Sequence, residues 1–199
     1  AQLGLSVALI EADKIGGTCL HRGCVPTKAI LHSAETAEAV REAAAVGVRA
    51  VFQGIDMPAV QKYKDGVISR MHKGLQGLVS SRGIEVVRGW GRLIAEDTVE
   101  VDGRRYRGRN VVLASGSSSK TMGQRISGPV MTSDQALELD HVPASAIILG
   151  GGVIGVEFAS AWASLGSQVT VIEGLPRLVP NEDEAISKQL ERAFRKRRI

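Results

Sequence analysis

Short, nearly continuous apolar runs alternate along this chain with longer stretches rich in Ala, Glu, Lys and Arg. Val7-Ala8-Leu9-Ile10 is the first such run. It ends in Glu11 and predicts a buried parallel strand closed by a carboxylate. The segment that follows, from Cys19 through Ala29 to about Ala44, predicts one helix. A second helical stretch covers about 57–82. Short strands are expected at 84–87, 90–94 and 98–101, with Asp102-Gly103 as a hairpin turn leading to Tyr106. Val111-Val112-Leu113-Ala114 predicts another buried strand, which runs into the Gly/Ser loop 115–119.

A break in composition falls near His141-Val142-Pro143. Beyond it the pattern predicts a strand at 146–149, a glycine loop at 150–155, a helix at 156–165, a strand at 169–173 and an amphipathic helix at 182–198. Alternation of strands and helices makes the fold class α/β. An internal repeat links the two regions. Residues 1–12 (AQLGLSVALIEA) and 163–174 (ASLGSQVTVIEG) agree at six of twelve positions. Each reads as a helix end, a glycine turn, a strand and a terminal Glu. In the second copy a strand, glycine loop and helix come first, so the same element is expected before Ala1. With no initiator Met and an end inside a helical pattern, the chain reads as an internal fragment.

Composition narrows the chemistry. The chain has 199 residues, 44% of them hydrophobic, and a net charge of +4. Aromatics make up only 4%, and no basic stripe with interleaved aromatics is present, so nucleic acid is not an expected partner. No run of about 18 apolar residues and no signal segment suggests a membrane. The reading is of a soluble protein, cytoplasmic by default. Two cysteines do not make a secreted disulfide framework.

Those cysteines lie in Gly16-Gly17-Thr18-Cys19-Leu20-His21-Arg22-Gly23-Cys24-Val25-Pro26-Thr27-Lys28. The four-residue spacer is short enough to bridge as a disulfide. A helix start stabilises a thiolate, and Lys28 stands one turn after Cys24 on the same side. A thiol pair that opens and closes fits this arrangement. Two other readings stand beside it. A zinc site needs about four ligands, with only His21 and His32 close by, and two inert core cysteines would need no chemistry at all.

Gly150-Gly151-Gly152-Val153-Ile154-Gly155 satisfies G-x-G-x-x-G after an apolar strand and before a helix. Its glycines allow a tight turn and close approach to a pyrophosphate at a helix N-terminus. Glu173, at the end of the next strand, is placed to accept hydrogen bonds from ribose hydroxyls. Its charge repels a 2′-phosphate, favouring NAD. By the repeat, Glu11 is the ribose ligand of a second dinucleotide.

With these residues in place, the whole chain resembles the flavin-dependent pyridine nucleotide–disulfide oxidoreductases. The stretch Gly-Gly-Thr-Cys-x-x-x-Gly-Cys-x-Pro-x-Lys is specific to them. Thr132-Ser133-Asp134-Gln135-Ala136-Leu137, Gly150 through Phe158, and Leu175-Pro176-Arg177-Leu178-Val179-Pro180 point to the branch that oxidises dihydrolipoyl groups of 2-oxo acid dehydrogenase complexes. The resemblance implies two truncated, three-layer Rossmann-like domains: an FAD-binding domain over 1–142 and an NAD-binding domain over 143–199. It implies a homodimer, with FAD and NAD as cofactors and no metal. Cys24 is then the thiol beside the flavin and Cys19 the thiol that exchanges with substrate. Lys28 pairs with Glu157. Glu11, Gly16, Gly17, Thr18, Cys19, Lys28, Gly91, Ser115, Gly116 and Ser117 meet FAD. Gly150, Gly151, Gly152, Val153, Ile154, Gly155, Val156, Glu157 and Glu173 meet NAD. His21-Arg22 departs from the commoner Asn-Val, Ser115 from Thr, and the loop at Met122 lacks its usual Pro. None of His21, His32, His72 or His141 matches the family's C-terminal catalytic base. Glutathione-, mercuric- or transhydrogenase-type reductases, and an inactive nucleotide-binding fragment, are the alternatives.

Overall fold

A computed structural model describes all 199 residues. Strand β1 (Ala8–Glu11) leads to helix α1 (Gly17–Arg22), helix α2 (Cys24–Glu42) and a 3-10 turn at Ala43–Val46. Helix α3 (Met57–Ser81) follows, then strand β2 (Glu85–Arg88), which pairs parallel to β1 from Ala8↔Glu85 to Glu11↔Arg88. Parallel pairing needs a crossover, and the helices supply it. Strands β3 (Arg92–Ala95), β4 (Thr98–Val101) and β5 (Arg104–Arg107) form an antiparallel meander. Its second turn is Asp102-Gly103, both at positive φ, which the twist of a two-residue hairpin requires. After the short helix α4 (Ser133–Ala136), strand β6 (Ser145–Leu149), helix α5 (Val153–Leu165) and strand β7 (Gln168–Ile172) make a parallel βαβ unit, and helix α6 (Glu184–Lys196) follows.

The main core joins the two regions. Ile30 and Ala34 of α2 and Met57 of α3 pack with Phe158, Ala159, Trp162 and Leu165 of α5, along with Leu137, Val169 and Phe194. Small residues let α2 and α5 approach: Ala34 and Ala159 are essentially inaccessible.

Three expectations need correction. The helix expected from Cys19 to about Ala44 is two helices, interrupted at Gly23, where a Cβ would sit 3.2 Å from the Thr18 carbonyl oxygen and 3.4 Å from the Cys19 Cα. The strand expected at 111–114 does not form: Val112 is 84% exposed and Leu113 72%. An apolar run becomes a strand only beside another, and β1 pairs with β2 alone. The helix expected from Val156 begins at Val153, because the last glycine of the loop lies inside its first turn.

Candidate active site

Cys19 sits inside the six-residue α1, and Cys24 is the first residue of the 19-residue α2. Their Cα atoms are 4.7 Å apart and their sulfurs are bonded as a disulfide. The break at Gly23 separates their environments. Only Cys24 stands at the positive end of a long helix, so the macrodipole favours a thiolate at Cys24 over one at Cys19. Thr27 Oγ1 donates to the Gly23 carbonyl at 2.7 Å, and Pro26 is fully buried, so the start of α2 is firmly held.

Lys28, one turn into α2, donates to Glu157 Oε1 at 2.5 Å. Glu157 lies in α5, in the first turns after the glycine loop. This ion pair spans 129 residues of sequence and ties the thiol helix to the second βαβ unit. Lys28 keeps 58% of its side chain exposed and Glu157 23%, so the pair is open to solvent mainly on the lysine side.

A second group of residues gathers at the C-terminal end of β1. Glu11 Oε1 accepts the Asp13 N–H at 2.9 Å. Gly16 caps α1 at φ +112°, and a Cβ there would overlap the Leu20 side chain. Gly16 therefore needs both left-handed backbone and an absent side chain. A Cβ on Gly116 would lie 3.4 Å from Thr18 Oγ1, which puts the exposed segment 115–117 against the thiol loop. Gly91 has a packing reason of its own, since a Cβ there would meet Ile10 at 3.0 Å and Val99 at 3.1 Å.

The third group surrounds the loop 150–155. A Cβ on Gly155 would collide with the Gly150 carbonyl oxygen, so its absence lets α5 pack directly on the end of β6. Gly151 is held from both sides. Its N–H donates to Glu173 Oε2 at 2.6 Å, and its carbonyl accepts the Val179 N–H at 2.7 Å. Val179 is buried at φ +43°, a strained conformation for a β-branched residue. Around Gly152 there is no atom within 4 Å of a Cβ position, leaving its face of the loop open. Glu173 Oε1 also accepts the Leu175 N–H at 2.8 Å. These two N–H groups, Leu175 first, hold the Glu173 carboxyl below its ordinary range.

Glu11 and Glu173 occupy the same register of the internal repeat, and each accepts the N–H two residues on. Sequence reading missed three features of this neighbourhood. Val179 carries no signal in its residue type. His72 of α3 stacks edge-on against His21 at 4.9 Å, across 51 positions that no local pattern connects. Further off, Lys64, in the N-terminal third of α3, is completely buried. No group of three or more His, Cys, Asp or Glu suited to a metal ion is present, and no helix is long and apolar enough to cross a membrane.

Residues 1–199 match the family described as pyridine nucleotide-disulphide oxidoreductase. Similar curated proteins include a dihydrolipoyl dehydrogenase of Bacillus subtilis, 39% identical over all of this chain and 45% of that protein. Another is a dihydrolipoyl dehydrogenase of Chlamydia pneumoniae, 37% identical over all of this chain and 44% of that one. The chain thus spans under half the length of these relatives. Among solved structures, the HOCl-induced flavoprotein disulfide reductase RclA of Escherichia coli aligns with a TM-score of 0.72 at 30% identity, over 99% of this chain and 43% of that one. LpdA of Mycobacterium tuberculosis aligns with a TM-score of 0.73 at 25% identity, over 96% and 44%.

Proposed function

The chain belongs to the pyridine nucleotide-disulphide oxidoreductase family, and from that premise we propose that it forms the thiol and nucleotide-binding part of a dihydrolipoyl dehydrogenase. The reaction is dihydrolipoamide plus NAD⁺ giving lipoamide, NADH and a proton, and the partners are lipoyl groups of 2-oxo acid dehydrogenase complexes acting on a homodimer. One observation carries the reading: the Cys19–Cys24 disulfide sits at the foot of the helix whose Lys28 is bonded to Glu157, just past the nucleotide loop.

The chain's own residues fit both cofactors. Glu11, Gly16 to Thr18, Gly91 and residues 115–117 would hold FAD, on a face left open at Gly17, where no atom lies within 4 Å of a Cβ position, and at the exposed 115–117. Residues 150–157 and Glu173 would hold NAD, where the open face at Gly152 meets the start of α5. FAD, when bound, supplies two-electron chemistry between thiols and nicotinamide. The Glu173 carboxylate, held ionised by two N–H groups, favours ribose hydroxyls over a 2′-phosphate, hence NAD over NADP.

In the thiol half of the reaction, a substrate thiolate attacks Cys19 Sγ. The Cys19–Cys24 bond breaks, and Cys24 leaves as a thiolate. The second substrate thiol, on losing its proton, attacks the mixed disulfide and releases Cys19. The substrate is now a cyclic disulfide and the pair is reduced by two electrons. The N-terminus of α2 favours the negative charge that gathers on Cys24 as it leaves. Lys28 places a positive charge beside the electron pair gathered there, and Glu157 offsets that charge in the resting state.

Replacing each cysteine separately tests the roles. In the flavin-loaded protein carrying this chain, Cys24→Ser should abolish the long-wavelength thiolate–flavin absorbance seen on reduction, and Cys19→Ser should keep it. Both should lose dihydrolipoamide oxidation. The reverse absorbance pattern overturns the assignment.

A further inference from the structure

Lys64 has no part in the chemistry just described, yet its side chain is 0% exposed. A buried ammonium must find acceptors for its three protons. Lys64 Nζ donates to the Leu137 carbonyl at 3.0 Å and to Glu138 Oε1 at 2.8 Å, and Asp65 Oδ1 lies 3.4 Å away. One turn earlier on α3, Gln61 Nε2 donates to the Leu139 carbonyl at 2.7 Å. Two side chains of one helix thus grip alternate backbone carbonyls of the segment 137–139. That segment opens the connector between α4 and β6, residues 137–144, which leads into the second βαβ unit. Leu137 itself is buried in the shared core.

The connector's path decides where α5 stands. β6 follows it directly, and Pro143 accepts the Ser167 hydroxyl at 2.6 Å on the far side of the unit. On its other flank α3 packs on α2, the helix of Cys24 and Lys28. So α3 bridges the thiol helix and the connector, beside the direct packing of α2 on α5, and the placement of Glu157 against Lys28 rests on both. Glu138 keeps 69% of its side chain exposed and could be solvated without Lys64. The Leu137 carbonyl, on a residue 2% exposed, would lose its lysine partner inside the core. Lys64 therefore specifies a backbone position more than it neutralises a charge.

We propose that Lys64, with Gln61 beside it, is a positioning residue that sets the nucleotide unit 145–173 against the thiol helix, and so aligns the nicotinamide half of the reaction. This rests on the function proposed above. The test compares Lys64→Met, Lys64→Arg and Gln61→Leu in the full protein carrying this chain. Stopped-flow absorbance measures flavin reduction by NADH and, separately, by dihydrolipoamide. Small misplacements of reacting groups cost large factors in rate, so Lys64→Met should slow reduction by NADH by about tenfold or more. Reduction by dihydrolipoamide, which uses Cys19, Cys24 and the first unit, should stay within about twofold. Lys64→Arg should recover part of the loss. Gln61→Leu should show the same split more weakly, and serves if Lys64→Met does not fold.

Hydrogen exchange supplies a readout independent of turnover. Lys64→Met should raise exchange at 137–142 and in the first turns of α5, and leave the β3–β5 meander unchanged. Equal slowing of both half-reactions, or a uniform rise in exchange, would assign Lys64 to stability alone and overturn the proposal. Unchanged rates and exchange would overturn it too. If the unmodified protein is not reduced by NADH at all, the proposed function fails, while the exchange pattern still decides whether the clasp exists.

Discussion

At the scale of single residues, Glu173 has the most engaged carboxylate near the glycine loop 150–155. One oxygen takes the Gly151 N–H and the other the Leu175 N–H, which lowers its pKa from the ordinary 4.5. A lowered folded-state pKa stabilises the fold above the unfolded value and stops doing so as pH falls through the folded value. Glu173→Gln removes the charge and faces one of the two N–H groups with an amide donor. In urea titrations, wild type should therefore lose more stability than Glu173→Gln when pH falls from about 6 to about 3. At neutral pH the variant should bind NAD about tenfold more weakly by calorimetry, as expected for a charge-assisted contact. Parallel acid profiles for the two proteins would remove Glu173 from the loop's support. The role expected of Glu173 came from its place at a strand end after G-x-G-x-x-G. Val179, which holds the other side of Gly151, was hidden because its contribution is a backbone N–H and a strained φ, and neither leaves a trace in residue type.

At the scale of elements, the strand–loop–helix at 145–165 is the one most dependent on missing side chains. Gly155 faces the Gly150 carbonyl at a distance no Cβ tolerates. Gly155→Ala should push α5 off the end of β6, costing about 1–3 kcal/mol or more as overpacking does. It should also shift the α5 N-terminus away from any bound pyrophosphate. The expected result is a lower melting temperature together with lost NAD binding in the same titration. A variant with normal binding and melting would mean that the loop relaxes freely. The glycine spacing made this element legible, as alternation and Asp102-Gly103 did for the β4–β5 hairpin. The cysteine helix was less so. Cys19 to Ala44 has helical composition throughout, and the interruption at Gly23 comes from close contact with Thr18 and Cys19, which composition does not encode. The run 111–114 failed for a related reason. Its apolar residues are strand-like, but a strand is made by its neighbour, and the first sheet consists of β1 and β2 alone, with 111–114 left unpaired.

At the scale of the molecule, the question is whether two βαβ regions separated in sequence behave as two folding units. The packing says one. Ile30, Ala34 and Met57 from the first region share a continuous core with Phe158, Trp162 and Leu165 from the second. Polar contacts reinforce it: Arg41 donates to the Ser164 carbonyl, Ser164 Oγ to Glu38, and Arg197 of the C-terminal segment to Ser164 Oγ. Neither region could separate without exposing the inner faces of α2 and α5, where burial of each large side chain is worth about 1.5–3 kcal/mol. Trp162, 3% exposed in that seam, reports on it directly, whereas Trp90 is 85% exposed. With Trp90 replaced by Phe, emission should be blue-shifted by the buried Trp162 alone. Its red shift in urea should then coincide with the loss of far-ultraviolet circular dichroism in one cooperative transition. If Trp162 becomes exposed while substantial secondary structure persists, the units separate before they unfold. The seam would then be a docking contact, and the Lys28–Glu157 pair would cross a movable boundary instead of a fixed one.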